Sequence, residues 1–142
     1  MTESQTGMEM KIGVIGGGSW GTALAKLLGD KGYAVSLWCY EEQVVNDINQ
    51  NRCNQLYLPD FVLPDTIVAT QDLVECVDYK DMVVVVTPSH VIRSVMNTVA
   101  DHIPMGVPIV SATKGIENGT LMLISEILED VLPVHCLSLI HI

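Results

Sequence analysis

Basic residues are scarce in this chain, 7 Lys and Arg against 17 Asp and Glu, which leaves a formal charge of −10 over 142 residues. Nucleic-acid binding is dominated by Lys and Arg neutralising phosphates, so the imbalance argues against a nucleic-acid partner. Any anionic ligand must be held by local groups. Aromatics are also few, 5% of residues within an apolar fraction of 49%. Val, Ile, Leu and Ala must therefore fill the core, the composition of a parallel sheet covered by helices. The four cysteines, Cys39, Cys53, Cys76 and Cys136, form no C-x-x-C pair. No cationic start followed by an apolar run marks a secretory signal, so free thiols in a reducing cytoplasm are expected. The longest apolar run, Met82 to Val86, is far too short to cross a bilayer, and no membrane association is expected.

The length is one domain's worth. After a polar, aperiodic stretch at 1–9, read as a flexible tail, strand-like and helix-like segments alternate. Ile12 to Ile15, Ala34 to Trp38, Thr66 to Ala69, Met82 to Val86 and Val107 to Ala112 have the character of strands. Between and after them, Trp20, Leu24, Leu27 and Leu28 fall on one helical face, Glu42 to Asn49 and Asp72 to Val77 form short helices, Val91, Ile92, Val95 and Val99 keep helical spacing, and Leu121 to Leu132 is amphipathic. Strict alternation of strand and helix predicts an α/β fold with a doubly wound parallel sheet.

The residues at 137–142, Leu-Ser-Leu-Ile-His-Ile, look like the translation of a sequencing-library adapter, which makes them a non-native tail. The other reading is a sixth strand, which their alternation fits.

Gly16-Gly17-Gly18-Ser19-Trp20-Gly21 satisfies G-x-G-x-x-G directly after the first strand and at the start of the first helix. That context is the phosphate-binding loop of a dinucleotide-binding (Rossmann) unit. Gly16 permits the tight turn, Gly18 removes the side chain where a pyrophosphate approaches the backbone, and Gly21 lets helix and strand pack closely. The free N–H groups and positive dipole end of the helix then face the anion. Such units mark NAD with an acid near the end of the second strand and NADP with an Arg. The chain reads Trp38-Cys39-Tyr40-Glu41-Glu42 there, with Glu41 twenty residues past Gly21 and no Arg, which leans toward NAD. The competing reading makes Glu41 and Glu42 first-turn acids that complement the helix dipole.

Ligands of doubly wound sheets sit beyond the carboxyl ends of the strands. Thr87-Pro88-Ser89-His90 follows the fourth strand and Thr113-Lys114-Gly115 the fifth. Lys114 could bind a substrate phosphate or polarise a carbonyl, and by position alone it is equally a solvated loop lysine.

Ile15-Gly16-Gly17-Gly18-Ser19-Trp20-Gly21-Thr22-Ala23, Leu37-Trp38, Tyr57-Leu58-Pro59, Val86-Thr87-Pro88-Ser89-His90 and Ala112-Thr113-Lys114-Gly115-Ile116-Glu117 occur in this order. Together, over about residues 10 to 134, they resemble the amino-terminal domain of bacterial-type NAD(P)-dependent glycerol-3-phosphate dehydrogenase. The resemblance implies a dinucleotide-binding domain over 10–136 and contacts to NAD or NADP from Gly16, Gly17, Gly18, Ser19, Trp20, Gly21, Tyr40 and Lys114, with Lys114 also touching substrate. It implies that Trp38 belongs to the core and that His90 is a helix-start residue and not a proton donor. It places the general-base lysine and an all-helical second domain downstream, so that no catalytic residue lies in these 142 residues and the polypeptide alone is expected to be inactive. It further implies a phosphorylated substrate, dihydroxyacetone phosphate or glycerol 3-phosphate, a homodimer, and a cytoplasmic role in phospholipid synthesis. Other readings are a ketopantoate reductase or 6-phosphogluconate-type dehydrogenase, which should lack the Ala112 to Glu117 segment, and a non-enzymatic dinucleotide-binding module.

Overall fold

Val83, Val84 and Val85 are all buried, Val84 in the core on one side of the sheet and Val83 and Val85 in the core on the other. A strand apolar on consecutive positions is covered on both faces and lies inside a sheet. The computed structural model, which describes residues 10–132 and 139–141, places it there. The strands are β1 (Lys11–Ile15), β2 (Ala34–Trp38), β3 (Ile67–Thr70), β4 (Met82–Val85), β5 (Ile109–Ser111) and β6 (Leu139–His141). They pair in parallel in the order β3-β2-β1-β4-β5-β6. The helices are α1 (Ser19–Asp30), α2 (Glu42–Asn51), α3 (Leu73–Val77), α4 (Ile92–Val99) and α5 (Ile124–Val131).

The fold is the doubly wound α/β sheet expected. Ala25 of α1 and Val44 and Ile48 of α2 join Ile12, Val14, Val35, Leu37 and Ile67 in one core. Cys76 and Val77 of α3, Ile92 and Met96 of α4, and Ile127 and Leu128 of α5 join Ile15, Val83, Val85 and Ile109 in the other. Because β2 lies on one side of β1 and β4 on the other, the order reverses between β1 and β4. The carboxyl ends of those two strands therefore flank the crevice where such sheets bind ligands.

Two local outcomes differ from the sequence reading. Of the stripe Trp20, Leu24, Leu27 and Leu28, only Leu24 and Leu28 pack against the core, half-buried; Trp20 and Leu27 are 55% and 54% exposed, and the fully buried residues of α1 are Gly21, Thr22, Ala25 and Gly29. The innermost positions are small because a Cβ on Gly21 or Gly29 would already meet the Gly16 carbonyl oxygen or Pro64. The last helix starts at Ile124 and not at Leu121, since Leu121 has φ 59° and Leu123 bridges Ile116 in antiparallel fashion, which takes this stretch out of helical geometry. Within the stretch read as a non-native tail or else a sixth strand, Leu139–His141 pair with β5 as β6, with Ile109 opposite Leu139. The expected flexible tail at 1–9 lies outside the described residues, as do 137, 138 and 142. Among the described residues no helix is long and apolar enough to cross a membrane.

Candidate functional site

The loop leaving β1 is shaped by what its glycines lack. Gly16 has φ 132°, and a Cβ on it would come within 2.9 Å of the Val86 carbonyl carbon. A Cβ on Gly21 would lie 1.7 Å from the Gly16 carbonyl oxygen, so only glycine lets α1 start this close to β1. Gly17 is backed by Cys39, whose Sγ would meet a Cβ at 2.4 Å. Gly18 differs from all three: nothing lies within 4 Å of its Cβ position, and its φ of −77° suits any residue. Its missing side chain leaves open space that a ligand can fill. No side chain caps α1 and no acid sits in its first turn, so its leading N–H groups and positive end face that space without competition.

A segment the sequence did not single out as a support fixes the loop from the other side. Asn54 is fully buried, and its Nδ2 donates to the Gly17 carbonyl (3.1 Å) and to Thr22 Oγ1 (2.9 Å). Thr22, also fully buried, donates to the same Gly17 carbonyl at 3.3 Å. Asn54 Oδ1 accepts from the Tyr57 N–H (3.1 Å), and Ser19 Oγ donates to the Tyr57 carbonyl (2.6 Å). The Tyr57 hydroxyl donates to Glu41, which raises the tyrosine pKa above its ordinary value. Asp47 of α2 accepts from the Gln55 N–H at 2.8 Å, and that bond holds its carboxyl below the usual range. Residues 54–57 therefore strap α2 to the glycine loop. Tyr57 carried a signal as part of the Tyr57-Leu58-Pro59 motif; Asn54 carried none.

The loop after β5 is organised by charge. Thr113 Oγ1 donates to the Thr87 carbonyl at 2.8 Å, joining this loop to the one after β4. Arg93 of α4 grips Glu117 with two bonds, Nε to Oε2 at 2.8 Å and Nη2 to Oε1 at 2.9 Å, and reaches Asp130 of α5 at 2.6 Å. The Arg93 guanidinium pulls the Glu117 carboxyl down to about 2. Gly115, with φ 113°, turns the chain just after Lys114. Lys114 itself is exposed and makes no hydrogen bond or ion pair among the described residues.

Two adjoining cavities open at these loops. The larger, about 800 Å³, is lined by Gly16, Gly17, Gly18, Ser19, Trp20 and Gly21, by Tyr40 and Glu41, and by Tyr57. The smaller, about 490 Å³, holds Lys114, Thr113 and Ser89. Trp20, Val86, Thr87 and Pro88 line both and form the shared wall. On that wall Thr87 Oγ1 is buried with no hydrogen-bond partner among the described residues.

The glycine-loop residues and Tyr40 thus come together, and Lys114 falls next door. Tyr40 is 78% exposed at the rim, edge-on to Trp38 at 6.5 Å between ring centres. Trp38 packs against the core, bonds the Gln71 carbonyl through Nε1 at 2.8 Å, and also lines the larger cavity. His90 lines that cavity just before α4. Cys39, Cys53 and Cys76 are free, and burial pushes the Cys39 and Cys76 thiols up to about 12, so both stay protonated at neutral pH. Cys136 lies outside the described residues.

The profile of the family described as NAD-dependent glycerol-3-phosphate dehydrogenase N-terminus matches residues 11–141. The chain is 52% identical over 124 residues to glycerol-3-phosphate dehydrogenase [NAD(P)+] of Leptospira biflexa, a match covering 87% of this chain and 37% of that protein. It is 51% identical to the protein of that name from Syntrophotalea carbinolica, with the same coverage. Among solved structures it is similar to glycerol-3-phosphate dehydrogenase from Coxiella burnetii, with a TM-score of 0.81, 33% identity, and coverage of 87% of this chain and 38% of that one. A ketopantoate reductase from Ralstonia eutropha superposes with a TM-score of 0.68 at 19% identity, a likeness of fold alone. The chain spans less than two-fifths of the length of the curated relatives described.

Proposed function

The chain belongs to the NAD-dependent glycerol-3-phosphate dehydrogenase N-terminal family, and we propose that it forms the cofactor-holding part of an oxidoreductase interconverting dihydroxyacetone phosphate and sn-glycerol 3-phosphate with NAD or NADP. The observation that carries this reading is the shared wall. It sets a cavity built on a glycine loop against a second cavity lined by Lys114, which is unpaired among the described residues.

The residues present fit a dinucleotide. The open space at Gly18, the uncapped start of α1 and the unsatisfied Thr87 hydroxyl are features that a bound diphosphate and its flanking groups would use. In this reading Gly16, Gly17, Gly18, Ser19, Trp20 and Gly21 hold the diphosphate, and Tyr40 covers the adenosine end. When bound, the dinucleotide supplies or accepts the hydride exchanged at C2 of the substrate. Lys114, in the adjoining cavity, would touch cofactor and substrate together. Its ammonium offsets the substrate phosphate or the negative charge that grows on the carbonyl oxygen during reduction. Trp20 and Pro88, which line both cavities, would lie between the two ligands. Residues 10–136 act as one dinucleotide-binding domain, and a cytoplasmic homodimer is the matching assembly; the free, protonated Cys39 and Cys76 suit a reducing compartment.

The test is a fluorescence titration of the chain with NADH, with and without glycerol 3-phosphate. Binding of NADH, with a shift in its affinity on adding glycerol 3-phosphate that disappears in Lys114→Ala, supports the reading. Absence of NADH binding in a folded protein contradicts it.

A further inference from the structure

The sheet ends on β3, and among the described residues no strand lies on its outer side. Such edges are templates for pairing with another chain, and we propose that Asn49 and Arg52 hold this one shut against the β3 edge of a second copy of the chain. The main-chain groups of a parallel strand point to alternate sides, residue by residue. The Val35 and Cys39 N–H groups donate to the carbonyls of Thr66 and Thr70, so Thr66, Val68 and Thr70 face β2 while Ile67 and Ala69 face outward.

The outward groups of both residues are nonetheless bonded. The Ala69 N–H donates to Asn49 Oδ1 at 2.9 Å, and the Ala69 carbonyl accepts from Asn49 Nδ2 at 3.0 Å. The Ile67 carbonyl accepts from Arg52 Nη2 at 2.8 Å, and the Ile67 N–H donates to the Pro64 carbonyl at 3.2 Å. The side-chain amide of Asn49 thus offers Ala69 the acceptor and the donor that the backbone of a neighbouring strand would offer. Arg52, just past the end of α2, also bonds the Pro64 carbonyl, and its own carbonyl accepts from the Leu63 N–H at 2.7 Å. The cap is therefore tied to the segment that leads into β3.

The strand beneath the cap is suited to pairing. Ile67-Val68-Ala69-Thr70 carries no charge and no proline, the usual guards of an exposed edge. Ile67 and Ala69 are buried in the core, and Val68, on the other face, is 54% exposed. Two β3 strands aligned antiparallel about Val68 would exchange hydrogen bonds through Ile67 and Ala69 and set their Val68 side chains face to face. That contact is self-complementary, as a two-fold pair of identical chains requires.

Hydrogen exchange and sedimentation of the chain test this. The Ala69 amide is expected to be protected in the wild type, although no strand lies beside it. In dilute Asn49→Ala it should exchange about tenfold faster, the worth of one ordinary hydrogen bond. The mass of Asn49→Ala should rise with concentration above that of the wild type. Adding Arg52→Gly should raise it further, since glycine accepts the φ of 57° at that position and uncovers the Ile67 carbonyl. Val68→Lys in the double variant should restore the wild-type mass by setting like charges opposite each other, a change to which clumping of unfolded chains is indifferent. Where a variant fails to fold, exchange at Ala69 in the wild type decides. An Ala69 amide that exchanges freely in the folded wild type, folded variants that keep the wild-type mass at every concentration, or association that Val68→Lys does not relieve would overturn the proposal.

Discussion

The loop after β1 and the loop after β5 open onto the same pair of cavities, yet they are held by different chemistry. The first is fixed by backbone contact and neutral, fully buried hydrogen bonds: Gly21 against Gly16, and Asn54 with Thr22 on the Gly17 carbonyl. The second is fixed by an ion-pair fork in which the Arg93 side chain is 28% exposed, Glu117 17% and Asp130 54%. Buried neutral bonds do not respond to salt or pH, whereas half-exposed ion pairs respond to both. On the function proposed above, the first loop would present a fixed surface to a diphosphate and the second would bring Lys114 to a substrate.

Substitutions can break the first half of that contrast. Gly21→Ala places a methyl 1.7 Å from a carbonyl oxygen where only backbone can yield, and a loss of at least about 3 kcal/mol in urea unfolding is expected from forced overpacking. Asn54→Ala removes one of two donors to the buried Gly17 carbonyl, the donor to Thr22 Oγ1 and the acceptor of the Tyr57 N–H, and a loss of about 2 kcal/mol with weakened NADH binding is expected from these lost bonds.

Acid should break the second half, with a smaller effect. Glu117 has its folded pKa lowered from 4.5 to about 2, so its contribution is complete above about 4.5 and lost as the pH falls through about 2. The melting temperature should therefore fall across that window, and Glu117→Gln should flatten the fall. Asn54→Ala should lower the whole curve without changing its shape. Asp47, whose carboxyl is also held low by the Gln55 N–H, contributes to the part of the fall that survives Glu117→Gln. Added salt should mimic Glu117→Gln and leave the Asn54 effect unchanged.

The same contrast explains what could be read from the sequence. The glycine loop, the valine run of β4 and the alternation of strands with helices are local patterns, and each appeared where expected. The inward face of α1 was not legible because hydrophobic spacing selects leucines, whereas the contact distance at Gly21 and Gly29 selects the smallest residues. The start of α5 was missed because Leu121 and Leu123 have helical spacing but are committed to the turn clasped against Ile116. Asn54 and Arg93 act across 37 and 24 residues of chain, on Gly17 and Glu117, and no periodicity reports partners that distant. The motif residues Glu117 and Tyr57 were visible, but not that one steadies the lysine loop and the other holds Glu41.

Gly18 offers the most direct test of the glycine loop as a cofactor cradle, because its Cβ direction is empty of protein and its backbone accepts any residue. NADH titration of Gly18→Ala beside the wild type should show an unchanged melting temperature and affinity reduced by about tenfold or more, since the added methyl occupies only the space reserved for the diphosphate. Unchanged NADH affinity in a fully folded Gly18→Ala protein would contradict the assignment.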